Sequence, residues 1–323
     1  MLALICLCIT FIVLQFCTLI AANACTNAMY SSGRQNVSIT VGSVTRSFEL
    51  YTPWQVNSCP PNSCTGPPTS RLGRGLVMNW HGCNAHFPLL DYHTEISKVS
   101  EIASDRGFYT ITPLGTKAPS GAYGWNADGI SCGAVGVDDF QFFEALLVFI
   151  DQELCVDPSM IYTVGFSTGA FLSYGIACRY PDRIAGAGTD AGGLSRSYYE
   201  TCRSGVGAVP MQAFHSLADP TVPYNGSAIW VGQDEMDTLW RQRNGCNGTQ
   251  QGTVSYQSRT TTCTYWDCPL APVESCVLKD IEHCWYGGRS GGFPSCRVRI
   301  GDVDATAKMF DFWEANNKRR SKV

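Results

Sequence analysis

Gly165-Phe166-Ser167-Thr168-Gly169 sets a serine between two glycines, directly after the strand-forming run 160–164 and just before the apolar helical stretch 171–178. A glycine-rich turn with an ordinary serine is one reading. The other is a nucleophile lifted out of a sharp strand-to-helix turn, so tight that side chains at the two glycine positions would strike neighbouring backbone. The helix that follows would aim the positive end of its dipole at the reaction centre. A serine hydroxyl is a weak nucleophile at neutral pH and needs a histidine base held by a carboxylate. On such a turn the chain order is serine, then acid, then histidine. Only His215 and His283 lie downstream of Ser167, and His215 precedes its nearest acid, Asp219. The order Ser167, Asp219, His283 therefore satisfies the rule. Asp219 follows an apolar strand, and Pro220 and Pro223 stiffen its loop. Asp190, in TDAGGL, and Glu282, beside the histidine, are the rival acids. His215 reads as a hydrogen-bonded structural residue near the acid loop.

Acyl transfer also needs two backbone N–H groups aimed at the developing negative charge. Thr168, directly after the nucleophile, supplies one. The other is expected from a loop after an early strand. NWHGCNAH (79–86) follows such a strand, and Gly82 allows close backbone approach, which makes the Cys83 N–H the natural second donor. The competing reading of HGC is a plain strand-ending turn. Trp125 in AYGWNADG and Trp285 in HCWYGG sit in glycine-rich surroundings, where an aromatic face can stack on a sugar or an aromatic acid; both are candidate substrate contacts, with a packing role as the alternative. His81, His86 and His93 form no HExxH or HxH arrangement, so neither a metal site nor a cofactor is expected.

These residues need a frame that delivers them to one place. From Gly75 onward strand and helix patterns alternate. Strands are expected at 46–51, 75–80, 108–112, 160–164, 184–187 and 211–214. Ile96, Val99, Ile102 and Ala103 recur at helical spacing. A helix from Asp138 would bury Phe140, Phe143, Leu147 and Ile150, with Asp138 and Asp139 in its dipole-favoured first turn. Later helices are expected at 234–243 and 305–314. Such alternation argues for a mostly parallel sheet with helices on both faces, and for a site at the carboxyl ends of its strands.

The chain has 323 residues, 45% hydrophobic, with a net charge of −4, enough to bury a large core. No basic stripe supports a nucleic-acid partner, and the basic tail 318–322 reads as a solvated end. Residues 2–21 are nearly all apolar and Ala22-Asn23-Ala24 is a small-x-small site, which reads as a signal peptide over 1–24 cut before Cys25. No Lys or Arg precedes the apolar run, so an uncleaved anchor is the alternative. After cleavage no further stretch is apolar enough to span a membrane. Of 17 cysteines three lie in the leader, and the 14 that remain are scattered, as disulfides in an exported chain would be. Cys59 and Cys64 flank a Pro-rich loop and are candidates for a local staple; Cys83 is expected to be bridged rather than nucleophilic. Asn36, Asn225 and Asn247 head N-x-[ST] sequons, which fit a glycosylated, secreted, extracellular protein.

HGC, then W-N with Cys132 nearby, VDDFQFFEAL, ELCVDPSMIYTVGFSTGAFLSYGIACRYPDRIAG, HSLADPTVPYNG and HCWYGG occur in an order that resembles the secreted feruloyl esterase and polyhydroxybutyrate depolymerase-like group, carbohydrate esterase family one. The resemblance runs from about Arg34 to Glu314, and ELCVD and Ala177-Cys178 are similar to the fungal-type feruloyl esterases. It implies a disulfide-stapled α/β-hydrolase fold in a single catalytic domain over 25–323. It places the group's triad on Ser167, Asp219 and His283 and its oxyanion donors on Cys83 and Thr168. Two departures concern the pocket. Phe171 stands where the group has smaller residues and would narrow the site. Glu282 precedes the histidine, and Trp285-Tyr286-Gly287 follows it where the group has Trp-Pro-Gly. The implied activity is a cofactor-free serine esterase releasing hydroxycinnamic acids from plant cell-wall polysaccharide. Polyhydroxybutyrate or another short-chain polyester is the runner-up substrate, and acetylxylan the third. A catalytically silent binding protein of the same fold is the non-enzyme alternative. The sequence specifies no oligomeric state.

Overall fold

The computed structural model describes residues 30–54, 75–83, 89–127, 130–288 and 302–317. The expected leader, the Cys59–Cys64 staple, His86 and the basic tail lie outside the described residues.

Strand β1 (Gly33–Val41) turns at Gly42 into β2 (Val44–Thr52). β3 (Leu76–Trp80) is followed by helices α1 (Leu89–Ser97) and α2 (Val99–Asp105), then by β4 (Tyr109–Pro113). Two small hairpins come next: β5 (Thr116–Lys117) with β6 (Tyr123–Gly124), and β7 (Asn126–Ala127) with β8 (Ile130–Ser131). Then α3 (Asp139–Glu153), β9 (Ile161–Phe166), α4 (Thr168–Arg179), β10 (Gly186–Asp190), α5 (Arg196–Ser204), β11 (Met211–Ser216) and α6 (Gln233–Arg243) alternate. β12 (Thr253–Gln257), β13 (Thr261–Trp266) and β14 (Val273–Leu278) precede the last described helix, α7 (Ala305–Asn317).

Ten strands make one sheet, in the order β1-β2-β4-β3-β9-β10-β11-β14-β13-β12. The run from β4 to β14 is parallel, and antiparallel strands extend both edges. Every residue of β3, β4, β9, β10 and β11 is buried, because helices cover both faces and leave no polar side to alternate with. On one face Phe142, Phe143, Leu172 and Trp240 bring α3, α4 and α6 onto Met78 and Ile161. On the other, Val99, Phe310 and Trp313 bring α2 and α7 onto Val77, Tyr162 and Val164. Tyr162 stacks on Trp313 with ring centroids 4.8 Å apart.

The expected parallel core is present, with local differences. The helical spacing from Ile96 to Ala103 spans two helices, because Lys98 sits at φ 55 between α1 and α2 and sends its ammonium to Asp304 at 2.5 Å. At the start of α3 only Asp138 serves the helix end, accepting from the N–H of Phe140 at 2.9 Å. Asp139 turns inward to pair with Arg46 at 2.7 Å and to accept the Asn126 N–H at 2.6 Å. β1, α5 and the β12–β14 extension are additional to the elements the sequence predicts. Cys83–Cys132, Cys178–Cys202, Cys246–Cys268 and Cys263–Cys276 are disulfides, and Cys155 and Cys284 are bridged as well. Among the described residues no helix is long and apolar enough to cross a membrane. Asn36, Asn225 and Asn247 are exposed.

Candidate active site

β9 ends at Phe166, and α4 begins at Thr168, so Ser167 is the whole of the turn between them. Its backbone stands at φ 53, ψ −121, a conformation that an L-residue holds only when its surroundings impose it. The two glycines explain how. A Cβ on Gly165 would lie 2.1 Å from the carbonyl oxygen of Gly169, and a Cβ on Gly169 would lie 2.1 Å from that of Trp80. The Ser167 N–H donates to the Asp190 carbonyl at 3.0 Å, and the Ser167 carbonyl accepts from Ala170 at 2.8 Å and Phe171 at 3.1 Å. The elbow is thus fastened to the next strand and to its own helix, while its side chain stays at the carboxyl edge of the sheet.

Asp219 follows β11 in a turn closed by its own carboxylate. Oδ1 accepts the N–H groups of Thr221 at 2.8 Å and Val222 at 2.9 Å. Oδ2 accepts Nδ1–H of His283 at 2.8 Å. Burial pushes the Asp219 pKa up, but the bond to His283, the imidazole charge and the two N–H donors outweigh it, and the carboxyl falls below its ordinary value. The His283 ring lies 4.9 Å, centroid to centroid, from Phe166, the residue immediately before Ser167. The structure therefore gathers Ser167, His283 and Asp219 at one edge, from the ends of β9, β14 and β11. His215 is buried beside them; Nε2–H donates to the Val222 carbonyl at 2.8 Å and lies 3.6 Å from Asp219 Oδ2. Burial lowers its pKa, so it acts as a neutral brace of the acid turn.

The end of β3 approaches the elbow from the other side. A Cβ on Gly82 would lie 3.1 Å from the Ser167 Cβ, so the Gly82-Cys83 peptide runs alongside the serine. Thr168 opens α4, where backbone N–H groups have no intrahelical acceptor. Both candidate oxyanion donors thus flank Ser167. The Cys83 thiol is bridged to Cys132, as expected.

No protein-family model matches the chain. Among curated proteins it is 22% identical over 237 residues to a probable feruloyl esterase C of Aspergillus oryzae, an alignment covering 72% of this chain and 80% of that one. It is 30% identical over 163 residues to feruloyl esterase B of Piromyces equi, covering 47% of this chain and 30% of that protein's length. Among solved structures, an acetyl xylan esterase from Aspergillus awamori superposes with a TM-score of 0.55 at 15% identity, over 77% of this chain and 94% of that one. The chain has the α/β-hydrolase fold. An acylaminoacyl peptidase from Pyrococcus horikoshii shares the fold, with a TM-score of 0.53 at 12% identity over 89% of this chain and 42% of that one.

Several residues have different work in this fold from the work their sequence context suggests. Trp125 is fully buried; its ring packs edge-on to Trp80 and its Nε1–H donates to the His81 carbonyl at 2.6 Å. Trp285 is also buried, with Nε1–H on Thr306 Oγ1 at 2.9 Å. Neither presents an open face to a substrate, which corrects the expectation of stacking. Gly288 packs against the Trp285 ring, where a Cβ would lie 3.1 Å from its Cδ1. Phe171 is buried too, against Trp230 at 6.0 Å between centroids, so it faces the wall of the fold.

Of the rival acids, Glu282 is exposed, and Asp190 is buried with one hydrogen bond, from the Tyr286 N–H at 3.0 Å. Asp190 joins the elbow to the histidine loop, a tie with no signature in sequence. His81 and His93 are buried and neutral, their pKa values lowered by burial to about 4 and about 3. Among the described residues no group of three or more His, Cys, Asp or Glu is placed to hold a metal ion.

Proposed function

We propose that this chain is a secreted serine esterase acting on hydroxycinnamate (feruloyl) esters of plant cell-wall polysaccharide. At the coarser level it is a carboxylic ester hydrolase, as its similarity to feruloyl esterases and its fold support. The observation that carries the reading is the 2.8 Å Asp219–His283 bond beside a serine held at φ 53. In this reading Ser167 Oγ bonds to the ester carbonyl carbon as its proton passes to His283 Nε2. Asp219 keeps Nδ1–H directed and stabilises the imidazolium. The oxyanion accepts from the Cys83 and Thr168 N–H groups. His283 then returns the proton to the departing alcohol, and water, activated the same way, releases the acid from the acyl-enzyme. No step uses a cofactor. The apolar leader, the disulfides and the exposed sequons at Asn36, Asn225 and Asn247 support export and glycosylation. A single domain over 25–323 is part of the same proposal.

The test is product analysis. The secreted protein is incubated with methyl ferulate, feruloylated arabinoxylan and polyhydroxybutyrate, and released acids are separated by chromatography. Ferulate from the wild type and none from Ser167→Ala is the expected result. Hydroxybutyrate instead moves the substrate to polyester. No acid from any of them refutes the feruloyl ester and polyester readings.

A further inference from the structure

We infer that residues 114–127 and 130–138, which carry both small hairpins between β4 and α3, form a clamp that sets the position of the Cys83 oxyanion donor, with the Cys83–Cys132 disulfide as its covalent link. The inference rests on the esterase reading above and assigns this segment a task in that reaction.

Three contacts from the segment reach the stretch His81-Gly82-Cys83, two at His81 and one at Cys83, and His81 passes its hold on to Gly82. The Gly115 N–H donates to His81 Nε2 at 2.9 Å, which leaves the imidazole proton on Nδ1. That Nδ1–H donates to the Gly82 carbonyl at 2.6 Å. Trp125 Nε1–H holds the His81 carbonyl at 2.6 Å, and its ring lies 4.7 Å from the His81 ring. Cys132 is bonded through sulfur to Cys83. The geometry of a trans peptide converts these contacts into aim. The Gly82 carbonyl and the Cys83 N–H lie in one rigid plane and point in opposite directions. Fixing the carbonyl with His81 and the Cys83 side chain with Cys132 leaves that plane little freedom to rotate. Its N–H is then committed to one direction, beside Ser167, where a Gly82 Cβ would stand 3.1 Å from the serine Cβ.

The segment is braced well enough to serve as an anchor. Asn126 takes the Ala134 and Val137 carbonyls at 2.7 and 2.9 Å, and its own N–H lies on Asp139 at 2.6 Å. Asp139 is paired with Arg46 of β2, so the clamp reaches the body of the sheet. Ala134 N–H on Thr116 Oγ1 at 2.8 Å joins one hairpin to the other, and Cys132 N–H on the Trp125 carbonyl at 3.0 Å extends the β7–β8 pairing by one rung. Cys132, Trp125 and His81 are thus positioning residues. They act through the Cys83 N–H, whose contribution is made mainly in the transition state.

The test compares the wild type, Ser167→Ala, the double variant Cys83→Ala/Cys132→Ala, which keeps the backbone N–H, and Trp125→Phe, which removes the indole N–H. Each is assayed for kcat and KM on 4-nitrophenyl acetate, for inhibition by phenylboronic acid, whose serine adduct is tetrahedral and anionic, and for Tm. Removing an oxyanion donor outright costs ~10²–10³ in kcat, so misaiming it in the double variant should cost ~10–100-fold. KM should stay within about threefold, and boronate affinity should fall with kcat. Trp125→Phe should lose about three- to tenfold in kcat with the same split. If the folded double variant keeps wild-type kcat and boronate affinity while Tm alone falls, the disulfide is only a staple and the inference is overturned. If the double variant does not fold, Trp125→Phe decides, and an unchanged kcat overturns the clamp. Wild-type turnover no greater than Ser167→Ala would remove the esterase reading and the clamp with it, an outcome distinct from the other two.

Discussion

Asp190 and Asp219 stand at the carboxyl ends of neighbouring parallel strands, β10 and β11, and both are buried, at 0% and 5% exposed. Their surroundings drive them in opposite directions. Asp219 accepts three hydrogen bonds, from Thr221, Val222 and His283, and its pKa falls. Among the described residues Asp190 accepts one, from the Tyr286 N–H, while its Oδ1 has no partner. Burial, reinforced by the nearby charge of Asp219, drives the Asp190 carboxyl well above the ordinary carboxylate range. Depth alone predicts the same fate for both. The number of donors aimed at each carboxyl separates them, and only a charged acid can stabilise an imidazolium. Asp190 does mechanical work: its backbone carbonyl holds the Ser167 N–H, and its side chain holds the loop three residues beyond His283.

The contrast breaks most visibly at Asp219. Asp219→Asn should lower kcat on an ester substrate by ~10⁴, the cost of the corresponding change in serine proteases. Asp190→Asn should stay within about threefold, since an amide oxygen still accepts from Tyr286 and no charge is lost. Asp190→Ala should fall further, because it leaves the Tyr286 N–H buried and unpaired at a cost of about 1–3 kcal/mol, read as a lowered Tm. Equal damage from Asp190→Asn and Asp219→Asn would erase the distinction.

A smaller effect tests the same principle on imidazoles. His93 donates Nε2–H to Asn79 Oδ1 at 2.8 Å, and burial lowers its pKa to about 3. Below about pH 6.5 the unfolded chain binds a proton that the folded His93 refuses. The stability this gives is fully present above pH 6.5 and is lost as pH falls towards 3. Asp237, raised by burial to about 6, runs the other way, losing stability as pH rises through 6. The readout is therefore a difference: Tm of His93→Gln should decline less than that of the wild type between pH 6.5 and 4. Parallel curves would contradict it.

The sharp turn at Ser167 was legible because its demands are local: two glycines, a strand before and a helix after. Chain order then selected Asp219 and His283. The buried strands β3 and β9 were also readable as apolar runs, whereas β10 (GAGTD) is small and polar and lies two to three residues beyond the expected 184–187. The β12–β14 extension was harder, since β12 is largely exposed and carries no apolar alternation. A glycine-rich context looks the same whether a ring is open or covered, so the sequence leaves Trp125 and Trp285 open between substrate contact and packing. Disulfide pairing depends on distance, which spacing does not encode; Cys83 and Cys132 are 49 residues apart in sequence. The different tasks of Asp190 and Asp219 are invisible for a related reason, because hydrogen-bond donors arrive from loops distant in the chain.

The most direct measurement is the rate and position of covalent labelling by a fluorophosphonate, with the labelled peptide identified by mass spectrometry. The account predicts a single adduct on Ser167 in the wild type, nearly the same rate in Asp190→Asn, and a rate lower by orders of magnitude in Asp219→Asn. An adduct on another residue, or wild-type labelling of Ser167 in Asp219→Asn, would contradict it.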